Sequence, residues 1–481
     1  MYKLLTVCFL FLSTAANSQN IRLTGSISGL ADENIRVRYP EDWFGNRWVG
    51  EIPVTSGGFE KNVDIPSSGW LALNYKGKDR SFYLWKQAKE LSISFDADFL
   101  DGDVKVEGDA ANVSAFATQI KEKFGQKLNT VWLDEQAKDA SNIDAMEMET
   151  FALRNDVIHA LDKFEGELPE EFVKAFKNHL GYYYYLSLFK FSEAKTKGSS
   201  IPKATEIPKV LIEGLTWERM NTSSELDSEF FRNLLLHFVE YKALEAYDFM
   251  KFADRGASVQ ESFNLARESL KGHSLQYFLT KTMLSNAQAI QPSLLRQMEG
   301  VLKGTDESEV FVKMVQDSLG DRLSAKDDEV ETVLTESTDH DVVELEVLGL
   351  NGKKFPLSDL KGKVVYLDIW ASWCGPCRKQ FPAAKELKTK LSKKELKNIE
   401  FLYISIDNTE TVWKLAIEEL GIEGTHGLSQ GGWGSEVTAK FGVHSIPRYV
   451  IIDKKGRVVD GNAPRPSDER LLEILRKLSA N

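Results

Sequence analysis

The run Val364-Val365-Tyr366-Leu367-Asp368-Ile369-Trp370, followed closely by Trp373-Cys374-Gly375-Pro376-Cys377, constrains this chain more than any other stretch. An apolar segment of that length with one acidic member reads as a buried strand, and the residues after Cys374 read as a helix start. That order puts the first sulfur at a helix N-terminus. There the unpaired backbone N–H groups and the helix dipole favour a thiolate, the form of sulfur that attacks disulfides. Cys377, one turn further along, can then expel the captured partner. The chemistry this predicts is thiol–disulfide exchange.

The chain has three cysteines, and the third, Cys8, lies in an N-terminal segment with the marks of a removable signal. Lys3 precedes the apolar run Leu4 to Leu12, and the small residues Ser13-Thr14-Ala15-Ala16 follow it. This is the pattern of a secretory signal peptide, predicted over residues 1–18, and its apolar core is too short to span a bilayer. Cleavage near Ala16 or Ser18 leaves one CxxC pair as the whole thiol inventory, which excludes a framework of structural disulfides. Leu5-Thr6-Val7-Cys8 is a faint match to a lipoprotein attachment site, but the apolar run continues past Cys8, so lipid anchoring is not expected. An exported chain with one reactive pair suits a bacterial periplasm.

At 481 residues the chain is too long for one core. Residues 341–481 hold 22 Lys and Arg against 19 Asp and Glu, a net +3; the whole-chain charge of −12 therefore leaves −15 on residues 1–340. An acidic front without basic clusters argues against nucleic acid or anionic lipid as partner, and no later segment is apolar enough for stable membrane insertion.

Residues 19–109 alternate with period two through Ile21/Leu23, Ile35/Val37/Tyr39, Val63/Ile65, Leu71/Leu73/Tyr75, Phe82/Leu84, Leu91/Ile93/Phe95 and Val104/Val106, predicting an antiparallel β-sandwich. Trp43, Trp48, Trp70 and Trp85 could line a groove there, although aromatic residues in such a sheet are more often core. Residues 110–325 change to helical spacing, as in Leu153, Val157, Leu161 and Phe164, and predict an all-α region. Tyr182-Tyr183-Tyr184-Tyr185 covers every face of its helix, which points to packing against a neighbouring domain. The acidic, Ser/Thr-bearing segment 326–341 reads as a linker. Residues 342–481 then alternate strand and helix, the order of an α/β sheet with the cysteine pair at a strand's carboxyl end. Within them, Lys385 to Lys397 reads as a solvated helix face and Gly431-Gly432-Trp433-Gly434 as a loop that either borders the site or only connects.

Leu367 to Pro382, with Trp373-Cys374-Gly375-Pro376-Cys377 inside it, resembles the active-site strand and helix of the thioredoxin superfamily, and is similar in particular to TlpA/ResA-like periplasmic thiol–disulfide oxidoreductases. Val443-His444-Ser445-Ile446-Pro447-Arg448-Tyr449-Val450-Ile451-Ile452-Asp453 matches that family's cis-proline loop and the strand after it. The order of sandwich, helical region and thioredoxin-like domain resembles exported proteins of Bacteroidetes-type bacteria.

The resemblance implies a cis Ile446–Pro447 bond that sets the Ile446 backbone beside the sulfurs to pair with a bound peptide strand. Trp373 would shield the sulfurs and help form the docking surface with Gly375. Pro376 sits where a missing N–H costs little, and the Gly-Pro dipeptide is associated with reductants. Asp368, buried in its strand, would have a raised pKa and take a proton from Cys377; many periplasmic relatives carry another residue here, so this position leans toward thioredoxin itself. No cofactor beyond the Cys374–Cys377 disulfide is expected. One CxxC with His426 or His444 falls short of a zinc site, so no metal is expected either. The implied partners are disulfide-containing or thiol proteins and a membrane thiol electron donor, with cytochrome maturation or general thiol repair as the implied use. Two alternatives stand beside reduction: a disulfide oxidase or isomerase, and a partner- or ligand-binding protein with a redox-gated thioredoxin-like domain. A helical domain lying over Trp373 and Pro447 would imply substrate selection.

Overall fold

The computed structural model describes residues 19–30, 32–45, 49–65, 67–75, 78–96, 104–199, 203–325, 344–443 and 446–480. The signal segment with Cys8, the linker 326–341, Trp48, His444 and Ser445 lie outside the described residues.

The alternating residues at the front of the chain form two four-stranded sheets. In the first, Gln19–Ser28 lies between Gly58–Ile65 and Glu90–Asp96, with Lys105–Glu107 at the edge. In the second the order is Val49–Val54, Glu33–Arg38, Gly69–Tyr75 and Lys78–Leu84. Ile21, Leu23, Leu91 and Ile93 of one sheet and Ile35, Val37, Ile52 and Leu71 of the other are buried in a common core, as period-two strands with one apolar face require. Pairing is antiparallel except between Gln19–Ser28 and Glu90–Asp96, which run parallel.

Helices follow from Ala111–Phe124 to Glu309–Ser324. Several begin at side-chain caps: Asn129, Asn142, Ser228 and Asp254 each accept a hydrogen bond from a backbone N–H in the first turn, which satisfies a donor the helix leaves open. The long helix Glu170–Lys197 packs against Thr130–Asp139, Ile143–Asp162 and Glu229–Ala246. Its tyrosine quartet is used inside this bundle and not against a neighbouring domain. Tyr182 packs edge-on to Phe231, the Tyr183 hydroxyl donates to the Lys127 carbonyl at 2.9 Å, and the Tyr184 hydroxyl donates to Glu147 at 2.8 Å. A helix enclosed on several sides can bury rings on most of its faces.

The described tryptophans of the sandwich pack on helices and do not line a groove. Trp85 meets Phe172 edge-on, Lys121 Nζ sits 4.1 Å above the Trp70 ring, and Trp43 stacks on Phe311 while its Nε1–H donates to Asp227. Sandwich and helices consequently share one apolar core, and the C-terminal region has its own.

That C-terminal region is a seven-stranded sheet in the order Lys354–Pro356, Glu346–Gly349, Thr425–Leu428, Ile399–Ser405, Val364–Trp370, Arg448–Ile452, Val458–Asp460. Val364–Trp370 runs parallel to Ile399–Ser405 and antiparallel to Arg448–Ile452, and all its residues are buried, the condition of a strand covered on both faces. Helix Gly375–Thr389 covers one face through Phe381, which meets Trp370 and Tyr403 edge-on. Its Lys-rich end is not wholly solvated: Lys388 Nζ lies 4.8 Å from the Phe401 ring centre, with its stem along the sheet.

Candidate active site

The strand Val364–Trp370 ends where the Trp370 carbonyl accepts the Ile406 N–H, and the chain then bends through Ala371-Ser372-Trp373. Asp407 holds that bend. Its carboxylate, 2% exposed, accepts from the Ser372 N–H at 3.0 Å, the Ser372 hydroxyl at 2.7 Å and the Ser405 hydroxyl at 2.7 Å. Cys374 comes next as the N-cap of helix Gly375–Thr389, in extended backbone, with its N–H on the Ala371 carbonyl.

Cys374 and Cys377 are disulfide-bonded, and both are fully buried. Cys374 Sγ accepts the Cys377 N–H at 3.1 Å, so a donor from the helix's open first turn is aimed at the sulfur that would carry negative charge once reduced. Gly375 and Pro376 are the first two residues of the helix, where an absent N–H leaves no acceptor stranded. The Ile446–Pro447 peptide is cis, and the Ile446 carbonyl oxygen lies 3.7 Å from Cys374 Sγ.

Trp373 is half-buried, with its ring edge-on to Trp433 at 5.9 Å. The loop Gly431 to Gly434 thus borders the site. Asp368 is 1% exposed and neither carboxyl oxygen has a hydrogen-bond partner, so burial holds its pKa well above the ordinary carboxylate range. Among the described residues no three His, Cys, Asp or Glu side chains converge as metal ligands; His426 instead stacks on Tyr403 and faces the Ile422 carbonyl through Nε2.

All eight candidates, Asp368, Trp373, Cys374, Gly375, Pro376, Cys377, Ile446 and Pro447, belong to the same strand, helix start and proline loop of this one region. Sequence reasoning missed Asp407 and Tyr247. Asp407 had a weak signal, an acidic residue two places past a strand otherwise apolar at its end. Tyr247 had none, because its contact is made across 199 residues: its hydroxyl donates to the Ile446 carbonyl at 2.5 Å.

A profile of the family Redoxin matches residues 331–474. The chain is 32% identical over 133 residues to the thiol-disulfide oxidoreductase ResA of Bacillus thuringiensis, covering 28% of this chain and 73% of that protein. It is 31% identical over 128 residues to the thioredoxin-like protein YneN of Bacillus subtilis, covering 26% of this chain and 72% of the relative. A crystal structure of the thioredoxin domain of a thiol-disulfide oxidoreductase from Bacteroides vulgatus matches at 26% identity, covering 29% of this chain and 95% of that one, with a TM-score of 0.26. The chain therefore belongs, through its C-terminal region, to the redoxin family of the thioredoxin superfamily, and is a thiol–disulfide oxidoreductase of the ResA/TlpA-like kind.

Proposed function

We propose that the protein is an exported reductant of protein disulfides working through the Cys374–Cys377 pair. The observation that carries this reading is the Cys374 sulfur at its helix N-terminus, receiving the Cys377 N–H and lying 3.7 Å from the Ile446 carbonyl. An attacking thiolate and a peptide-pairing carbonyl are thereby side by side.

In the reduced enzyme the Cys374 thiolate attacks one sulfur of a substrate disulfide. The substrate S–S bond breaks, its far sulfur leaves as a thiolate and takes up a proton, and a Cys374–substrate bond forms. Cys377 then loses its proton, with Asp368 as the acceptor, and attacks Cys374. The mixed disulfide breaks, the second substrate thiolate leaves, and the Cys374–Cys377 disulfide remains. Two electrons have passed to the substrate. Trp373, Gly375, Ile446 and Pro447 form the docking rim in this reading, and Pro376 limits how far the dithiol is favoured.

Resetting the enzyme needs a dithiol donor. Since the chain carries no nicotinamide or flavin motif, a membrane thiol carrier is the proposed source. The signal-like residues 1–18 support export to the periplasm, and among the described residues no helix is long and apolar enough to cross a membrane.

The test is the reduction potential of the pair, from equilibration in graded glutathione or dithiothreitol buffers with trapping of free thiols. A value near that of thioredoxin, about −270 mV, is expected. A value near about −120 mV, that of a strong oxidant, would overturn the direction and make the protein a disulfide donor or isomerase.

A further inference from the structure

The disulfide is not open to solvent. Both cysteines have no exposed surface, and part of what packs over them comes from the helical region. Helix Glu229–Ala246 ends directly over the start of the active-site helix: a Cβ added to Gly375 would meet the Ala246 carbonyl oxygen at 2.3 Å. Tyr247, 1% exposed, belongs to the C-terminal core and not to that of its own helices. Its ring packs on Phe252 and lies 6.5 Å from Trp373, and its hydroxyl donates to the Ile446 carbonyl. Four residues later the Lys251 carbonyl accepts the Trp433 Nε1–H at 3.1 Å.

The turn between these contacts is conformationally costly. Asp248 and Phe249 follow one another with φ of +49° and +59°, a region that suits glycine and that a phenylalanine rarely enters. Packing compels it: Phe249 is buried against Tyr241, its N–H bonds the Leu244 carbonyl, and its carbonyl accepts the Ala204 N–H. A strained turn anchored in the helices thus presents one side chain to the redox site.

We infer that Ala246 to Phe252 occupies the place of a substrate segment over Cys374–Cys377, and that Tyr247 determines which disulfides reach it. The Ile446 carbonyl lies 3.7 Å from Cys374 Sγ, and the Tyr247 hydroxyl occupies that acceptor. An incoming protein must displace the ring and supply its own donor. The substrate class this selects is an extended, disulfide-bearing peptide segment with a backbone N–H to offer and apolar side chains to fill the space between Trp373, Trp433 and Phe252. Compact disulfides without a free strand are rejected. This inference rests on the reductase reading above.

The test uses the full-length mature protein as wild type, Tyr247→Phe and Tyr247→Ala. Two rates are measured: reduction of Cys374–Cys377 by excess phosphine, followed by thiol trapping, and reduction of insulin by the reduced enzyme. Tyr247→Phe removes the hydroxyl, with its bond to Ile446 and its interaction with Glu261, keeps the ring, and should raise both rates about three- to tenfold, the range for one such bond. Tyr247→Ala, checked for folding by circular dichroism, should raise them further. Equal rates in wild type and Tyr247→Phe would overturn the inference and leave the reductase reading intact. Faster phosphine reduction in the variants, with insulin untouched by any of the three, would uphold Tyr247 as the cover and overturn the reductase reading.

Discussion

Asp368 and Tyr449 stand opposite one another on neighbouring antiparallel strands, and neither the carboxyl oxygens of the first nor the hydroxyl of the second has a hydrogen-bond partner among the described residues. Tyr403 pairs with Asp368 from the other side. Register partners share a sheet face, so an acid sits between two phenols in a buried row. Burial first, and the Asp368 charge second, push both phenols above their ordinary pKa. An ionised Asp368 would have only neutral groups around it. With its folded pKa raised above 3.8, the folded state holds this proton longer than the unfolded chain does. Stability is therefore fully present below that ordinary value and is lost as pH rises through the folded pKa. Asp368→Asn removes the titration. It should stabilise the C-terminal region more at pH 8 than at pH 4, because wild type alone loses stability over that interval. The same variant should slow release of the mixed disulfide by on the order of 10²-fold above the folded pKa of Asp368, where the wild-type carboxylate is ionised and can accept the Cys377 proton. Denaturant titration at the two pH values and stopped-flow thiol release check both; an unchanged pH dependence of stability would refute the assignment.

Gly375 is one of the positions where the site meets the helical region. In a free helix start, Gly→Ala is favourable by propensity. Here the new methyl would press on the Ala246 carbonyl, a backbone atom at the end of a packed helix that cannot swing aside. Gly375→Ala should therefore cost about 1–3 kcal/mol of contact between the two regions, the range for overpacking. The expected readout is faster limited proteolysis near residues 246–252 and a more reactive disulfide. A variant as protease-resistant as wild type would show that the Ala246 contact gives way without consequence.

What could be read in the sequence was what is encoded locally. The strand to Trp370, the cap at Cys374, the acid at Asp368 and the pair Ile446-Pro447 each sit within a few residues of a recognisable pattern, because a strand buried on both faces must be apolar throughout and a helix start has its own grammar. Val49–Val54 went unseen, since Gly50 and Pro53 interrupt its alternation, and it is held as an edge strand by Glu33–Arg38. Thr425–Leu428 went unseen because four residues with His426 and Gly427 carry no strand signal of their own; its neighbours on both sides impose the conformation. Tyr247 was invisible for a different reason. At the end of an amphipathic helix it looks like one more core aromatic, and only the three-dimensional fold shows that the core it enters is the other one.

Asp407 gives a third prediction. Three donors converge on it, and two of them come from Ser372, in the bend that delivers Cys374. Removing the carboxylate strands the Ser372 N–H and two hydroxyls, and a hydrogen bond to a charged group contributes about 1.5–3 kcal/mol. Asp407→Ala should destabilise the C-terminal region by about 2–4 kcal/mol. Asp407→Asn keeps acceptor oxygen for part of the set and should cost less. Because the bend aims Cys374 at the Ile446 carbonyl, both variants should also lower the rate of mixed-disulfide formation while leaving the insulin KM nearly unchanged. A variant with full stability and full rate would remove Asp407 from the positioning role.

The helix that carries Tyr247 is itself tied to a titrating group at its other end. Ser228 caps Glu229–Ala246, and the Ser228 hydroxyl also bonds His179 Nδ1 at 2.8 Å. The His179 ring lies 4.4 Å from Phe230 and stacks on Phe176. Burial first, and the Arg232 charge second, lower its pKa from 6.5 to about 4. His237, lowered chiefly by burial, acts in the same direction despite Glu193 beside it. A depressed histidine pKa means the unfolded chain binds protons the folded chain refuses. Stability is then fully present above pH 6.5 and is lost as pH falls toward about 4. The His179 share is at most about 3 kcal/mol, less to the extent that water reaches the ring edge. His179→Gln, which keeps a side-chain amide near Ser228, should flatten the decline between pH 6.5 and 4 while the His237 share persists. Since loosening this helix loosens the support of Tyr247, wild-type phosphine reduction of Cys374–Cys377 should accelerate over the same acid range, and the acceleration should be weaker in His179→Gln. Denaturation midpoints and phosphine rates measured at half-unit pH steps check the two effects together. A stability profile identical in both proteins would show that His179 does not titrate in this window.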